Sequence, residues 1–339
     1  MMIQLTTSCA SSVDEGKGNT SNLLFSGQIL PERNAGLNGA PSLKLEPGAA
    51  CVAAVFDGRG SRAGKAAYMA ASAFRATADR LRTVKDLEAL YAKIHGDMVA
   101  ASSSEAPLSA GAVAACVDGN MLSLASLGDC RVYLMRDRKL YMLSRESAEA
   151  APEAAPCAPG TGDALGGSGA KPFTVKGALQ PGDQLLLCTG WLCAALDARE
   201  ILRTLDESAT PSSALQQLAR RAGARRGDIA AVLLKADGVE ESEAPVEEPE
   251  ALAEEPEAPV EEPKAPAEKP EAPVEEPEAP VEKPEVPVEE SEAPVEEPEV
   301  PVEESEAPAE ESVEETAESP VKESLEDIIE AAVKELSEE

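Results

Sequence analysis

Residues 112–144 read AVAACVDGNMLSLASLGDCRVYLMRDRKLYMLS, and this stretch sets the fold class. Ala112–Val117 and Met121–Leu127 flank Asp118-Gly119-Asn120, a turn tripeptide between two strand-forming runs. Arg131–Asp137 and Leu140–Ser144 flank a second turn at Arg138-Lys139. Strands this closely spaced leave no room for crossover helices, so residues 110–144 predict a β-meander. Upstream, Cys51–Asp57 reads as a strand and two helical stretches follow near 62–81 and 84–101. Downstream, 147–171 is rich in Ala, Pro and Gly and reads as a loop. Phe173–Ala178 and Gln184–Thr189 are strands around the turn Gln180-Pro181-Gly182-Asp183. Helices are expected near 198–206 and 211–222, and Ile229–Lys235 is a buried strand. Hairpin-linked strands with helices in pairs suit an α+β sandwich better than a parallel doubly wound sheet.

The chain has 339 residues and a formal net charge of −33, unevenly placed. Residues 239–339 hold 39 Asp and Glu against 5 Lys, whereas residues 1–238 are almost neutral. Every aromatic residue lies before 192. The expectation is one core-forming domain over 1–238 and a disordered acidic tract over 239–318. A single histidine, His95, excludes His-rich zinc sites and argues against a Ser-His-Asp triad. Seven scattered cysteines without a CxxC pair suggest buried thiols in a reducing cytoplasm rather than a disulfide framework. No apolar run is long enough to span a membrane, and the first residues lack the pattern of a usual signal peptide. The charge balance argues against nucleic acid as a partner.

From Glu243 to Ser312 the chain repeats every seven residues, with blocks such as EAPVEEP and EVPVEES. Two prolines in most heptads are incompatible with a coiled coil, since each removes a helical donor and clashes with the preceding turn. An extended, self-repelling spacer is expected, reaching at most roughly 200 Å over 70 residues. Residues 319–337 change character. Ser319-Pro320 suits a helix start, and Val321, Leu325, Ile328, Ile329, Ala332 and Leu336 form one apolar face. Such a helix suits docking in the groove of a protein partner.

Four segments, VFDGRGS (55–61), LSLASLGDCRVYLMRDRKLYMLSRE (122–146), ALQPGDQLLLCTGWL (178–192) and RGDIAAVLL (226–234), occur in an order that resembles the bacterial metal-dependent type 2C Ser/Thr protein phosphatases. The family's versions are roughly VxDGxGG, GDSR with LTxDHS, LxPGDxLLLCSDGL and DNxTxVxV. The resemblance covers most of residues 3–236. It implies two packed, mainly antiparallel sheets flanked by helix pairs, an α-β-β-α sandwich. It also implies two Mg²⁺ or Mn²⁺ ions at one edge, holding a water that attacks a phosphoserine or phosphothreonine.

Hard dications set close together need carboxylate oxygens, and the family supplies them from four places. The first, in an N-E/Q-D motif, falls here on Asn19-Thr20-Ser21, or in a shifted register on Asn22 to Leu24, neither with a carboxylate. The second is kept as Asp57, with Gly58, whose carbonyl also binds metal in the family. The third, in SDGL, is replaced by Thr189-Gly190-Trp191-Leu192. The fourth is displaced by one residue to Asp228, a slip expected to turn the side chain to the other face of a strand. GDSR survives as Gly128-Asp129-Cys130-Arg131, and LTxDHS is eroded to Leu143-Ser144-Arg145-Glu146-Ser147.

Strand-forming residues kept and ion ligands lost imply a pseudophosphatase, a binding or regulatory module with no tightly bound cofactor. Asp57 and Gly58 would be a weak relic metal site, with Asp228 beside them. Arg59 and Arg62 are candidates to bind phosphate in place of the metals, which would make the domain a phosphopeptide reader. Asp129-Cys130-Arg131 reads as a structural turn, and Trp191 as core or as the filling of an emptied metal pocket. One alternative is an active Mg²⁺- or Mn²⁺-dependent phosphatase with a site rebuilt from Asp57, Asp129, Glu146 and Asp228. Another is a scaffold in which the acidic tract or the 319–337 helix captures the partner and the domain is a passive anchor. The partner in either case is a protein, with a phosphoprotein among the candidates.

Overall fold

Alternation along the strands builds the core. The structure, a computed structural model, describes residues 2–12, 19–144, 163–167, 171–223, 228–239 and 322–338. In β5 (Cys51–Arg59), Ala53 and Val55 face one core while Ala54 and Phe56 face another. The remaining strands are β1 (Ile3–Ser12), β2 (Ser21–Phe25), β3 (Gln28–Ile29), β4 (Ser42–Lys44), β6 (Ser109–Asp118), β7 (Met121–Leu127), β8 (Arg131–Arg136), β9 (Lys139–Met142), β10 (Phe173–Ala178), β11 (Gln184–Cys188), β12 (Ile229–Gly238) and β13 (Lys322–Ser324). They form a six-stranded sheet, β4-β1-β12-β11-β8-β9, and a seven-stranded sheet, β13-β10-β7-β6-β5-β2-β3. All pairings are antiparallel except β10 with β13.

Three apolar layers hold this together. Between the sheets lie Leu5, Val55, Val113, Leu124, Val132, Leu187 and Val232. Helices α1 (Ala63–Thr77) and α2 (Val84–Ala101) cover the seven-stranded sheet. There Phe56, Phe74 and Tyr91 stack at 5.2 and 5.8 Å, and Tyr91 donates to the Ala125 carbonyl. Helices α3 (Gly190–Ala195), α4 (Ala198–Glu207) and α5 (Pro211–Gly223) cover the six-stranded sheet through Ile201, Leu205, Leu215 and Leu218. The expected α-β-β-α sandwich is the fold. Capping boxes at Thr83 with Asp86 and at Asp197 with Glu200 fix the starts of α2 and α4.

Several expectations change in detail. The meander over 110–144 is two hairpins in different sheets: β7 pairs with β10, β8 pairs with β11, and Gly128-Asp129-Cys130 carries the chain across the sandwich. The second turn centres on Asp137-Arg138, both at positive φ, one residue earlier than expected. β1, mostly Ser, Thr, Cys and Ala with only two large apolar residues, was not anticipated as a strand, yet it pairs along its whole length with β12. The expected loop keeps a fixed part, in which Leu165 is buried and bridges to Ala110. His95 accepts a hydrogen bond there from the Gly166 amide, a structural role not assigned from sequence.

The repeat tract lies outside the described residues, as do residues 319–321. The helix expected over 319–337 is α6, Leu325–Glu338, and 322–324 are extended instead. Ser324 Oγ accepts from the Asp327 amide and so caps the helix five residues later than the serine expected to do so. The apolar face packs on the domain: Leu325 is fully buried in the inter-sheet core, and Ile328 and Ile329 lie against it. No helix among the described residues is long and apolar enough to cross a membrane. The six described cysteines are all free thiols.

Candidate functional site

Strand ends bring the sequence-singled residues to one edge. Asp57 lies near the end of the buried run of β5, opposite Ser21 on β2 and Gly111 on β6. Asp129 sits in the crossing turn before β8, and Asp228 immediately precedes β12. Asp57 is buried, and among the described residues its carboxylate accepts no hydrogen bond. Its pKa is raised well above the usual carboxylate range, first by burial, then by the Asp129 charge, with Asp228 adding and Arg59 opposing. Three carboxylates therefore feel one another here.

Each of the other two has a partner. Arg59 Nη2 donates to Asp129 Oδ1 at 2.8 Å, across 70 residues of chain. Burial works against the arginine's charge, but Asp129 and Asp57 outweigh it and hold the guanidinium ionised. The Thr20 amide and hydroxyl both donate to Asp228 Oδ2 at 2.7 Å. The one-residue displacement thus does not remove Asp228 from the edge. It precedes the strand, so the pleat does not dictate its direction, and it pins the start of β2 to the start of β12. Gly58 donates to the Thr20 carbonyl at 2.9 Å, and a Cβ there would sit 1.9 Å from the Ala63 carbonyl oxygen. Packing against α1 accounts for that glycine without any ion.

The register of the first motif is settled by pairing. Ser21, not Leu24, lies across from Asp57. Asn19 Oδ1 accepts from the Ser21 amide and hydroxyl, and its Nδ2 donates to Asn34 Oδ1. At the third position Gly190 opens α3 and is buried, while Trp191 is 36 % exposed. Trp191 is therefore neither core nor a pocket filling; it stands at the surface on the first turn of the helix. Arg62 Nη1 donates to the Ala101 and Ala106 carbonyls at 3.4 and 3.1 Å, away from Asp129. Asp129 is paired with Arg59. Arg145 and Glu146 lie outside the described residues.

Two dications side by side carry a charge of +4 that one aspartate and a carbonyl do not offset. Of the four positions where the resemblance asks for a carboxylate, Asp57 has one, Ser21 and Gly190 have none, and Asp228 is spent on Thr20. Among the described residues, no three His, Cys, Asp or Glu side chains group as a ligand set. The residues present do not fit a metal pair. Sequence reading found Asp57, Asp129 and Asp228 but missed Thr20 as the partner of Asp228 and Arg59 as the partner of Asp129. Nothing in local sequence signals either, since the partners are 208 and 70 residues apart.

Comparison with known proteins agrees with this architecture. Residues 44–149 match the family model described as Protein phosphatase 2C. That stretch is similar to the family over those residues. No curated protein matches. Among solved structures, the catalytic domain of the serine/threonine protein phosphatase PstP in complex with two manganese ions is 18 % identical. It superposes with a TM-score of 0.54 over 70 % of this chain and 100 % of that one. The Mycobacterium tuberculosis phosphatase PstP/Ppp is 20 % identical with a TM-score of 0.54, covering 69 % of this chain and all of that one. PppA, a regulatory component of the type VI secretion system in Pseudomonas aeruginosa, is 18 % identical with a TM-score of 0.53, covering 70 % and 100 %. These likenesses concern the fold.

Proposed function

We propose that the chain is a protein phosphatase 2C-type domain that no longer runs two-metal hydrolysis and acts as a binding or regulatory module. The observation that carries this reading is the Arg59–Asp129 ion pair beside Asp57. A guanidinium supplies the positive charge at the edge, and two of the other three ligand positions hold serine and glycine. Asp57, Gly58 and Asp228 are then a relic that at most holds one weak Mg²⁺ or Mn²⁺ through water. Within this reading Arg59 and Arg62 are the cations a phosphopeptide meets. A phosphate there competes with Asp129 and with the carbonyls of Ala101 and Ala106. Free thiols favour a cytoplasmic setting.

A second reading is an active Mg²⁺- or Mn²⁺-dependent phosphatase with a rearranged site, favoured by the charges of Asp129 and Asp228 acting on Asp57. Hydrolysis of a phosphothreonine peptide in millimolar Mn²⁺ separates the two. The first reading expects no turnover above buffer, and calorimetry that finds one weak site or none. Turnover that disappears in Asp57→Asn would establish the second.

A further inference from the structure

The domain accounts for its own edges without residues 322–338, yet those residues fill a shaped cleft on it. β10 is paired along its whole length to β7, from Phe173 opposite Ser126 to Ala178 opposite Met121. β9 is paired to β8 in the other sheet. These two strands bound the same side of the sandwich, and α6 touches both. On the free edge of β10, residues 322–324 add in parallel, Thr174 opposite Lys322 and Lys176 opposite Ser324. Leu325 then enters the inter-sheet core. The space for it exists because position 177 is glycine: a Cβ there would stand 2.2 Å from the Leu325 Cβ. Ile328 and Ile329 close the cleft one turn later, and the Glu326 charge reaches Arg136 on β8. A short extended triplet, a leucine in a hole and a helical isoleucine pair make up the ligand side of a strand-addition site.

Connection length makes this contact separable. Eighty-three residues, 239–321, join β12 to β13, and their sequence is dominated by Glu and Pro. A tether that long holds its end at an effective concentration on the order of a millimolar or less. We propose that the cleft between β9 and β10 is a peptide-docking site, that segment 322–338 is its resident ligand, and that the same segment offered in trans takes the resident's place. The partner this surface fits is a protein segment with that chemistry, an acidic strand–helix junction carrying Leu followed by Ile-Ile. The inference stands independently of the phosphatase reading.

A fluorescent peptide of residues 319–339 and the full chain test it. Leu325→Asp in the full chain expels the resident segment. That variant is expected to stay folded, to bind the peptide saturably, and to bind it at least about tenfold more tightly than the unaltered chain does, because the tethered segment no longer competes. A peptide carrying the same Leu325→Asp change is expected not to bind. Loss of cooperative unfolding in the Leu325→Asp chain would make the segment an integral strand and overturn the proposal. So would a folded variant that ignores the peptide, or equal binding by both chains, which would place the peptide elsewhere.

Discussion

Two arginine–aspartate pairs, one buried and one half-buried, stand in different parts of this sandwich, and they are built to opposite standards. Arg136 meets Asp183 with two parallel bonds, Nε to Oδ1 at 2.9 Å and Nη2 to Oδ2 at 2.6 Å. Nη2 also donates to the Ala178 carbonyl, and Asp183 Oδ2 accepts the Gln180 amide, so the pair ties β8 to the turn before β11. Arg59 meets Asp129 with one bond, and its buried Nε has no acceptor among the described residues. In the first pair both carboxylate oxygens and the guanidinium are hydrogen-bonded. Around the second, Asp57 adds a further buried carboxylate. A structural ion pair evolves toward saturation, because burying an incompletely satisfied charge is costly. This difference is the physical ground on which the proposed relic site rests.

The comparison breaks most visibly if the saturated pair is opened. Asp183→Ala leaves a guanidinium buried without its carboxylate and frees the Gln180 amide. Stability is expected to fall by about 3–5 kcal/mol, read as a lower urea midpoint with an unchanged slope. A loss below about 1 kcal/mol would mean the pair is no more than a surface bridge.

Opening the unsaturated pair is expected to cost less and to reveal more. Arg59→Met keeps the length of the side chain and removes its charge. The loss of one charged hydrogen bond is about 1.5–3 kcal/mol, partly cancelled because the unpaired Nε goes with it. The variant removes the guanidinium that Asp129 and Asp57 face. Millimolar Mn²⁺ is then expected to raise the melting temperature of Arg59→Met and to leave the unaltered chain unmoved, since a ligand that binds only the folded state stabilises it. Equal Mn²⁺ responses in the two proteins would show that the guanidinium does not stand in for an ion.

The fold was more legible than the site, for a physical reason. Turn chemistry, strand propensity and helical periodicity are local, so Met121–Leu127, Phe173–Ala178 and Val84–Ala101 were read with their observed bounds. β1 escaped because its Ser, Thr and Ala residues lack apolar alternation; its strand character comes from β12 beside it. The apparent meander misled because hairpins look alike whether or not successive hairpins share a sheet. The face of α6 was read from its periodicity, but periodicity says only that a face is buried, not against what. At the site, residue types named the missing carboxylates, while Thr20 with Asp228 and Arg59 with Asp129 are tertiary pairings that no local pattern encodes.

The smallest expected effect is the most direct probe of that further carboxylate. The folded-state pKa of Asp57 lies above its unfolded value, with burial the leading cause. Between those two values the folded chain binds a proton that the unfolded chain has released. By linkage, stability then falls as pH rises from the ordinary carboxylate range near ~4 up through the folded pKa, and is flat beyond it. The sign is opposite to that of a salt-bridged aspartate, whose contribution is lost on acidification. Asp57→Asn removes this term. In chelator-treated protein the variant is expected to match the parent at the acid end of the window and to exceed it at neutral pH, the gap widening steadily between. A gap that narrows as pH rises would mean that Asp57 is stabilised as an anion, and the edge would then have to be read as a saturated scaffold like the Arg136 pair.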